Sequence, residues 1–212
     1  MSQAERTTEQ ILESAQRSLD IAELGYATFV KQPEKRLVGL MNLTVFGVSV
    51  TAVLQNLRNT EADFDKWYEK YKSEMKSDPL MKYFWNLRSE ILKEGKLVVA
   101  SNLHIKSLNP LNFHRIPPPP SNAKVRSFFM GDPLGGNGYE IELGDGSIQK
   151  YYVEMPSDIA ESWLEFADKS KMPRIHLGKK LESMSIQALS RLYLDYLQRM
   201  AKDARATFGK TK

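Results

Sequence analysis

The sequence predicts a mainly α protein: an antiparallel helical bundle with a small antiparallel β insertion and a C-terminal helix packing back on the bundle. Three observations lead there. Residues 37–57, LVGLMNLTVFGVSVTAVLQNL, contain no charge and are long enough for about six helical turns. The segments around them carry apolar residues at three- and four-residue spacing, the period of a helix with one buried stripe. Between residues 124 and 155 the pattern changes to short aromatic and β-branched runs separated by glycines, which reads as strands and turns.

The charge-free stretch places Leu37, Leu40, Val48 and Leu54 on one face and Leu43, Phe46, Val50, Val53 and Leu57 on another. A helix apolar on several faces is central in a domain or inside a membrane. About 20 apolar residues suffice to span a bilayer, but Asn42, Thr44, Ser49, Thr51, Gln55 and Asn56 would be costly at that depth. The expectation is a core helix in water, with no membrane contact. Gly39 and Gly47 lie eight apart on nearly one face, where a neighbouring helix can approach closely.

Composition supports this class. Hydrophobic residues are 42% and charged residues 26%, the balance of a globular chain, and 212 residues allow a sizeable core. There is no cysteine, which excludes a disulfide scaffold, thiolate catalysis and cysteine-bound zinc and fits a cytoplasmic location. Residues 1–10, MSQAERTTEQ, lack the apolar core of a signal peptide. Residues 1–95 hold 13 Lys+Arg against 14 Asp+Glu, and residues 96–212 hold 17 against 12. The basic excess in the second half permits contact with nucleic acid.

In chain order, residues 3–30 read as an amphipathic helix with a stripe of Leu12, Ala15, Leu19, Ala22, Tyr26 and Phe29. Pro33 ends it, and a short link makes the charge-free helix its antiparallel neighbour. Residues 61–76 carry Phe64, Trp67, Tyr68, Tyr71 and Met75 at helical spacing, an aromatic stripe for packing. Asp78-Pro79 is a helix start, with Asp capping and Pro in the first turn. That helix runs to Gly95, a left-handed terminator. Its buried stripe is Leu80, Phe84, Leu87 and Ile91, and beside it lie Met81, Trp85, Arg88 and Leu92. An arginine in such a row must pair or reach solvent.

A bundle whose last core helix carries Leu87-Arg88-Ser89-Glu90-Ile91-Leu92-Lys93 resembles the HEPN superfamily of higher eukaryote and prokaryote nucleotide-binding domains. The resemblance covers residues 1–95. Members carry an Arg, a polar residue and, a few residues on, a His; many are homodimeric RNases of toxin–antitoxin and phage-defence systems, and others are RNA- or partner-binding modules. Arg88 and Ser89 match the first two positions, whereas Lys93 stands where the histidine belongs. Histidine titrates near neutrality and serves as acid or base; a lysine of ordinary pKa stabilises charge but takes no proton. The resemblance therefore implies a noncatalytic or weakly active module, with Arg88 and Lys93 contacting phosphate. The alternative from the residues alone is that Arg88 pairs with Glu90, Glu94 or another acid and holds the bundle together.

Residues 96–123 read as a connector, with the rigid run Pro117–Pro120 extended as polyproline. Lys124 to Met130, Tyr139 to Leu143 and Ile148 to Met155 are the strands of the insertion. The glycine cluster GDPLGGNG between the first two lacks the Gly-Lys-Ser/Thr and following helix of a phosphate loop and reads as a turn. Residues 156–212 read as a C-terminal helical segment. In it, Ser157-Asp158 opens a short helix bearing Ile159, Trp163 and Phe166, and residues 169–180 form a basic loop. Lys171, Arg174, His176, Lys179 and Lys180 are its candidates for phosphate. A last helix, about 183–207, presents Leu189, Tyr193, Tyr196, Leu197 and Met200 to the bundle or a second chain. His104, His114 and His176 lack metal-ligand spacing, so no metal or cofactor is expected. The function expected is an RNA- or nucleotide-associated homodimer. Two alternatives stand beside it: a protein-interaction homodimer without nucleic acid, and a metal-independent RNase using Arg88.

Overall fold

A computed structural model describes residues 6–107 and 109–209 of the chain. The protein is mainly helical, with antiparallel strands. It divides into two compact units. Residues up to 31, 37–97 and those from 168 onward form a helical unit, and residues 32–36 with 98–167 form a strand-rich unit.

The helical unit contains α1 (Thr8–Lys31), α2 (Arg36–Leu54, continued by the 3-10 turn Gln55–Asn59), α3 (Phe64–Ser77), α4 (Pro79–Glu94) and α5 (Ile186–Phe208); Arg36 alone of α2 belongs to the other unit. Each forms where the period of three and four predicts, although residues 3–5 of the first expected helix lie outside the described residues. Asp78 caps α4 by accepting from the Met81 amide at 2.9 Å, and Gly95 ends it with φ of 64°.

The charge-free helix is buried along Leu40, Leu43, Val50 and Leu54. Two glycines set how close its neighbours come. A Cβ on Gly39 would stand 2.6 Å from the Gly25 carbonyl oxygen and 2.5 Å from the Phe29 nitrogen of α1, so the two backbones touch there. A Cβ on Gly47 would meet the Tyr193 ring of α5 at 2.6 Å. Thr44 and Thr51 return their hydroxyls to the carbonyls of Leu40 and Val48, so these buried polar groups are satisfied within the helix. Residues 33–59 are long and apolar enough to cross a membrane by length and composition, and half of the most apolar window is buried against the protein itself.

The last helix docks as expected. Tyr193 stacks on Phe84 of α4 with centroids 4.2 Å apart. Trp67 and Tyr71 of α3 both donate to Asp203, at 2.9 and 2.6 Å. Arg191 makes a two-pronged bond to Glu23 of α1 at 2.7 and 2.8 Å, the geometry that suits guanidinium and carboxylate.

The strand-rich unit departs from expectation at both its edges. Val99–Ile105, inside the expected connector, is strand β1. The segment expected as a short helix after Ser157 is strand β5 (Ala160–Phe166), and the two pair antiparallel from Val99↔Phe166 to Ile105↔Ala160. Helical spacing of Ile159, Trp163 and Phe166 misled. In the strand, Ala160, Leu164 and Phe166 are buried on the alternate positions of one face. The proline run thus lies inside this unit, between β1 and β2, rather than joining it to the helices. β2 (Lys124–Phe129), β3 (Asn137–Glu142) and β4 (Ile148–Val153) make the three-stranded antiparallel sheet that was expected. A further short hairpin, β6 (Ile175–His176) and β7 (Lys179–Lys180), belongs to the helical unit.

The α1–α2 contact leaves no room for a side chain. Gly39→Ala should lower stability by about 1–3 kcal/mol, the usual cost of overpacking. Gly144→Ala, in open space, should change it by less than about 0.5 kcal/mol. Urea unfolding of the two variants checks this.

Candidate functional site

The candidate site is built on the outer row of α4. Trp85, Arg88, Ser89 and Leu92 recur at three and four and so share one face. Trp85 and Leu92 are each 54% exposed, unusual for large apolar side chains side by side. The Arg88 guanidinium carbon lies 6.0 Å from the Trp85 ring centroid. Ser89 returns its hydroxyl to the Trp85 carbonyl at 3.0 Å.

Arg88 is half-buried and its Nε is sealed from solvent without a hydrogen-bond partner. Among the described residues no ion pair joins it to Glu90, Glu94 or any other carboxylate. The architectural alternative, an arginine locked to an acid, is therefore not what the helix shows. A buried donor left unpaired costs about 1–3 kcal/mol, more when charged. Lys93 is exposed at the end of the helix.

The basic segment is more structured than a loop. Lys171 bonds Asp168 at 3.1 Å; that bond, followed by the charges of Asp168 and Glu90, holds its ammonium above the ordinary value. Arg174, Lys179 and Lys180 are exposed on or beside the β6–β7 hairpin. His176 is not with them. It is 9% exposed, with its Nδ1 3.1 Å from Asp78 Oδ1, while the Leu177 amide donates to Asp78 Oδ2 at 2.6 Å. Asp78 thus caps α4 and anchors the hairpin, whose turn carries Leu177 and Gly178 at positive φ. The expectation that His176 contacts phosphate is corrected: it is a packed structural histidine. Arg88 lies ten residues beyond Asp78, about 15 Å along the helix axis. The structure therefore does not bring together Arg88 and the one histidine of the helical unit.

The strand-rich unit holds a second polar centre that sequence reasoning passed over. Asp132, 8% exposed, accepts from the amides of Leu134 and Gly136 at 3.0 Å each. It also accepts from Lys150 Nζ at 2.9 Å and the Tyr152 hydroxyl at 2.7 Å. Arg36 donates to the carbonyls of Leu134 and Gly135. The amides of the glycine-rich segment therefore point at their own carboxylate, which leaves none of these for a phosphate and confirms a turn. Among the described residues no cluster of His, Asp and Glu is arranged to hold a metal ion.

A family model described as bacteriophage lambda protein ea47 matches residues 26–123, from the end of α1 through α4 and β1 to the proline run. The similarity covers the charge-free helix and the Arg88 helix, and stops before the three-stranded sheet. No curated protein and no solved structure matches the chain.

Two measurements follow. Asp78→Ala removes the acceptor for two amides and for His176, and should cost about 2–4 kcal/mol, since buried donors lose their partner; hydrogen exchange should rise at residues 175–180. At Asp132, burial works to raise the carboxyl pKa, but the bonds from Lys150, Tyr152 and the Gly136 amide outweigh it and hold the group below its ordinary value. A depressed folded value gives stability that is present above about pH 4 and lost as pH falls through it. Asp132→Asn should therefore flatten the acid side of a urea-midpoint profile below about pH 5.

Proposed function

We propose that this protein is an RNA-associated, HEPN-like antiparallel helical bundle that binds rather than cleaves. In this reading it acts as a homodimer in the cytoplasm, without membrane contact, in a phage-defence or toxin–antitoxin setting. The observation that carries the reading is the unpaired, half-buried guanidinium of Arg88 beside an exposed indole. Arginine stacked on an aromatic ring is a common receptor for phosphate and base together. Charge supports it. The strand-rich unit carries 7 Lys+Arg against 9 Asp+Glu, leaving 23 against 17 for the rest of the chain, so the excess accompanies the helices. Binding is favoured over cleavage because Lys93 replaces the histidine and His176 is committed to Asp78.

A second reading, a homodimeric interaction module without nucleic acid, draws on the exposed Trp85 and Leu92 and on Leu24, 66% exposed, on α1. Exposed apolar rows of this kind suit an interface.

Arg88→Ala should weaken binding of single-stranded RNA at least about tenfold at low salt, and wild-type affinity should fall steeply as salt rises. Fluorescence anisotropy measures both, and gel analysis of the same RNA should show no cleavage. Leu92→Glu should convert dimer to monomer by sedimentation. Absence of RNA binding with the dimer intact selects the second reading.

A further inference from the structure

The helical unit contains a half-open cavity of about 480 Å³, lined by residues of α2 and the 3-10 turn after it, α3, α4 and α5, with Trp85 among them. Its volume is that of a small-molecule site. Three lysines, Lys72, Lys76 and Lys82, stand at its edge, and no carboxylate lines it. Lys72 is bonded to Glu69 at 3.0 Å, whereas among the described residues Lys76 and Lys82 have no ion-pair partner. Lys72 and Lys76 are four apart on one helix, a spacing at which like charges repel. An anion at the mouth would relieve that repulsion.

The walls say what the anion would carry. Tyr68, Trp85 and Tyr193 present aromatic surface, and Met75 and Met81 present thioethers, which pack well against ring systems. Tyr193 is 2% exposed, yet no hydrogen bond joins its hydroxyl to a described residue. Tyr193 itself lines the cavity. Burial also pushes the phenol pKa up, so it stays neutral and able to donate. Asn86 adds a side-chain amide to the lining.

We propose that this cavity is a binding site for a small aromatic anion. The flat ring system lies between Trp85 and the methionines, its polar edge is within reach of the Tyr193 hydroxyl, and its carboxylate, sulfonate or phosphate is held by Lys76 and Lys82. The cavity shares Trp85 with the Arg88 face, but its anion-holding residues, Lys76 and Lys82, are distinct from Arg88.

The test uses the full chain and the fluorescent probe 1-anilinonaphthalene-8-sulfonate, followed by titration and by the methyl NMR signals of Met75 and Met81. Saturable binding below about 1 mM, with shifts at those two methyls, is expected. Lys76→Glu with Lys82→Glu should weaken it at least about tenfold. Lys179→Glu with Lys180→Glu, an equal charge change on the exposed hairpin, should leave it unchanged. Absence of saturable binding, equal binding by the Lys76/Lys82 variant, or shifts confined to other methyls would overturn the proposal. So would displacement of the probe by a long-chain fatty acid but not by 1-naphthoate, since the walls would then be selecting a chain rather than a ring.

Discussion

The helical unit depends on how closely α2 can be approached. Gly39 lets the backbone of α1 rest against it, and Gly47 lets the Tyr193 ring of α5 come up against it. A helix without charge has no side chain that can reach water from a buried face, so its stability rests on apolar contact along its length. Close approach increases that contact, and small residues are the means. Tyr193 links the consequence to the rest of the unit: it stacks on Phe84 of α4 and at the same time lines the cavity. The glycine that admits the ring thereby also helps shape one wall of the proposed ligand site.

The same tight interior explains why polar groups sort as they do. Buried polar side chains of this unit are mostly self-contained: Thr44 and Thr51 bond within their helix, Asp203 takes two aromatic donors, and Asp78 takes three partners. Two sealed groups of this unit have no hydrogen-bond partner among the described residues, the Ser190 hydroxyl of α5 and Arg88 Nε, and only the second carries charge. Interiors rarely leave such donors without a partner, and this one lies on a face that also exposes Trp85 and Leu92.

Much of this was legible in the sequence because it is local. Helical period, the Asp78-Pro79 start, the Gly95 stop and the three central strands each announce themselves within a few residues. What was not legible depends on partners distant in the chain. Val99–Ile105 is a strand because Ala160–Phe166 lies beside it, and neither segment alone distinguishes strand from short helix. His176 looked like one more member of a basic cluster; its burial follows from Asp78, 98 residues away. Asp132 was hidden for the same reason, since Lys150 and Tyr152 reach it only after β4 pairs with β3. The Asp-Pro pair signals a helix cap alone, and nothing near it in the chain signals that the second carboxylate oxygen holds a hairpin.

The substitution at Lys93 bears on chemistry more than on affinity. RNA cleavage without metal requires a group that accepts the 2′-hydroxyl proton and another that returns one to the leaving oxygen. A guanidinium stays protonated and stabilises charge only, and a lysine ammonium has no proton-accepting site. In the proposed HEPN-like reading, a histidine placed at position 93 would supply a titrating group where Lys93 now stands, on a helix whose cap and terminator are already in place. If the proposed reading of Arg88 is right, Lys93→His should gain measurable cleavage of bound RNA, with a rate that depends on pH near the imidazole pKa and disappears when Arg88 is also replaced. A variant that still binds RNA but shows no such rate would mean that the Arg88 face holds phosphate in a geometry unsuited to in-line attack, which would make the module a binder by shape and not merely by a lost proton acceptor.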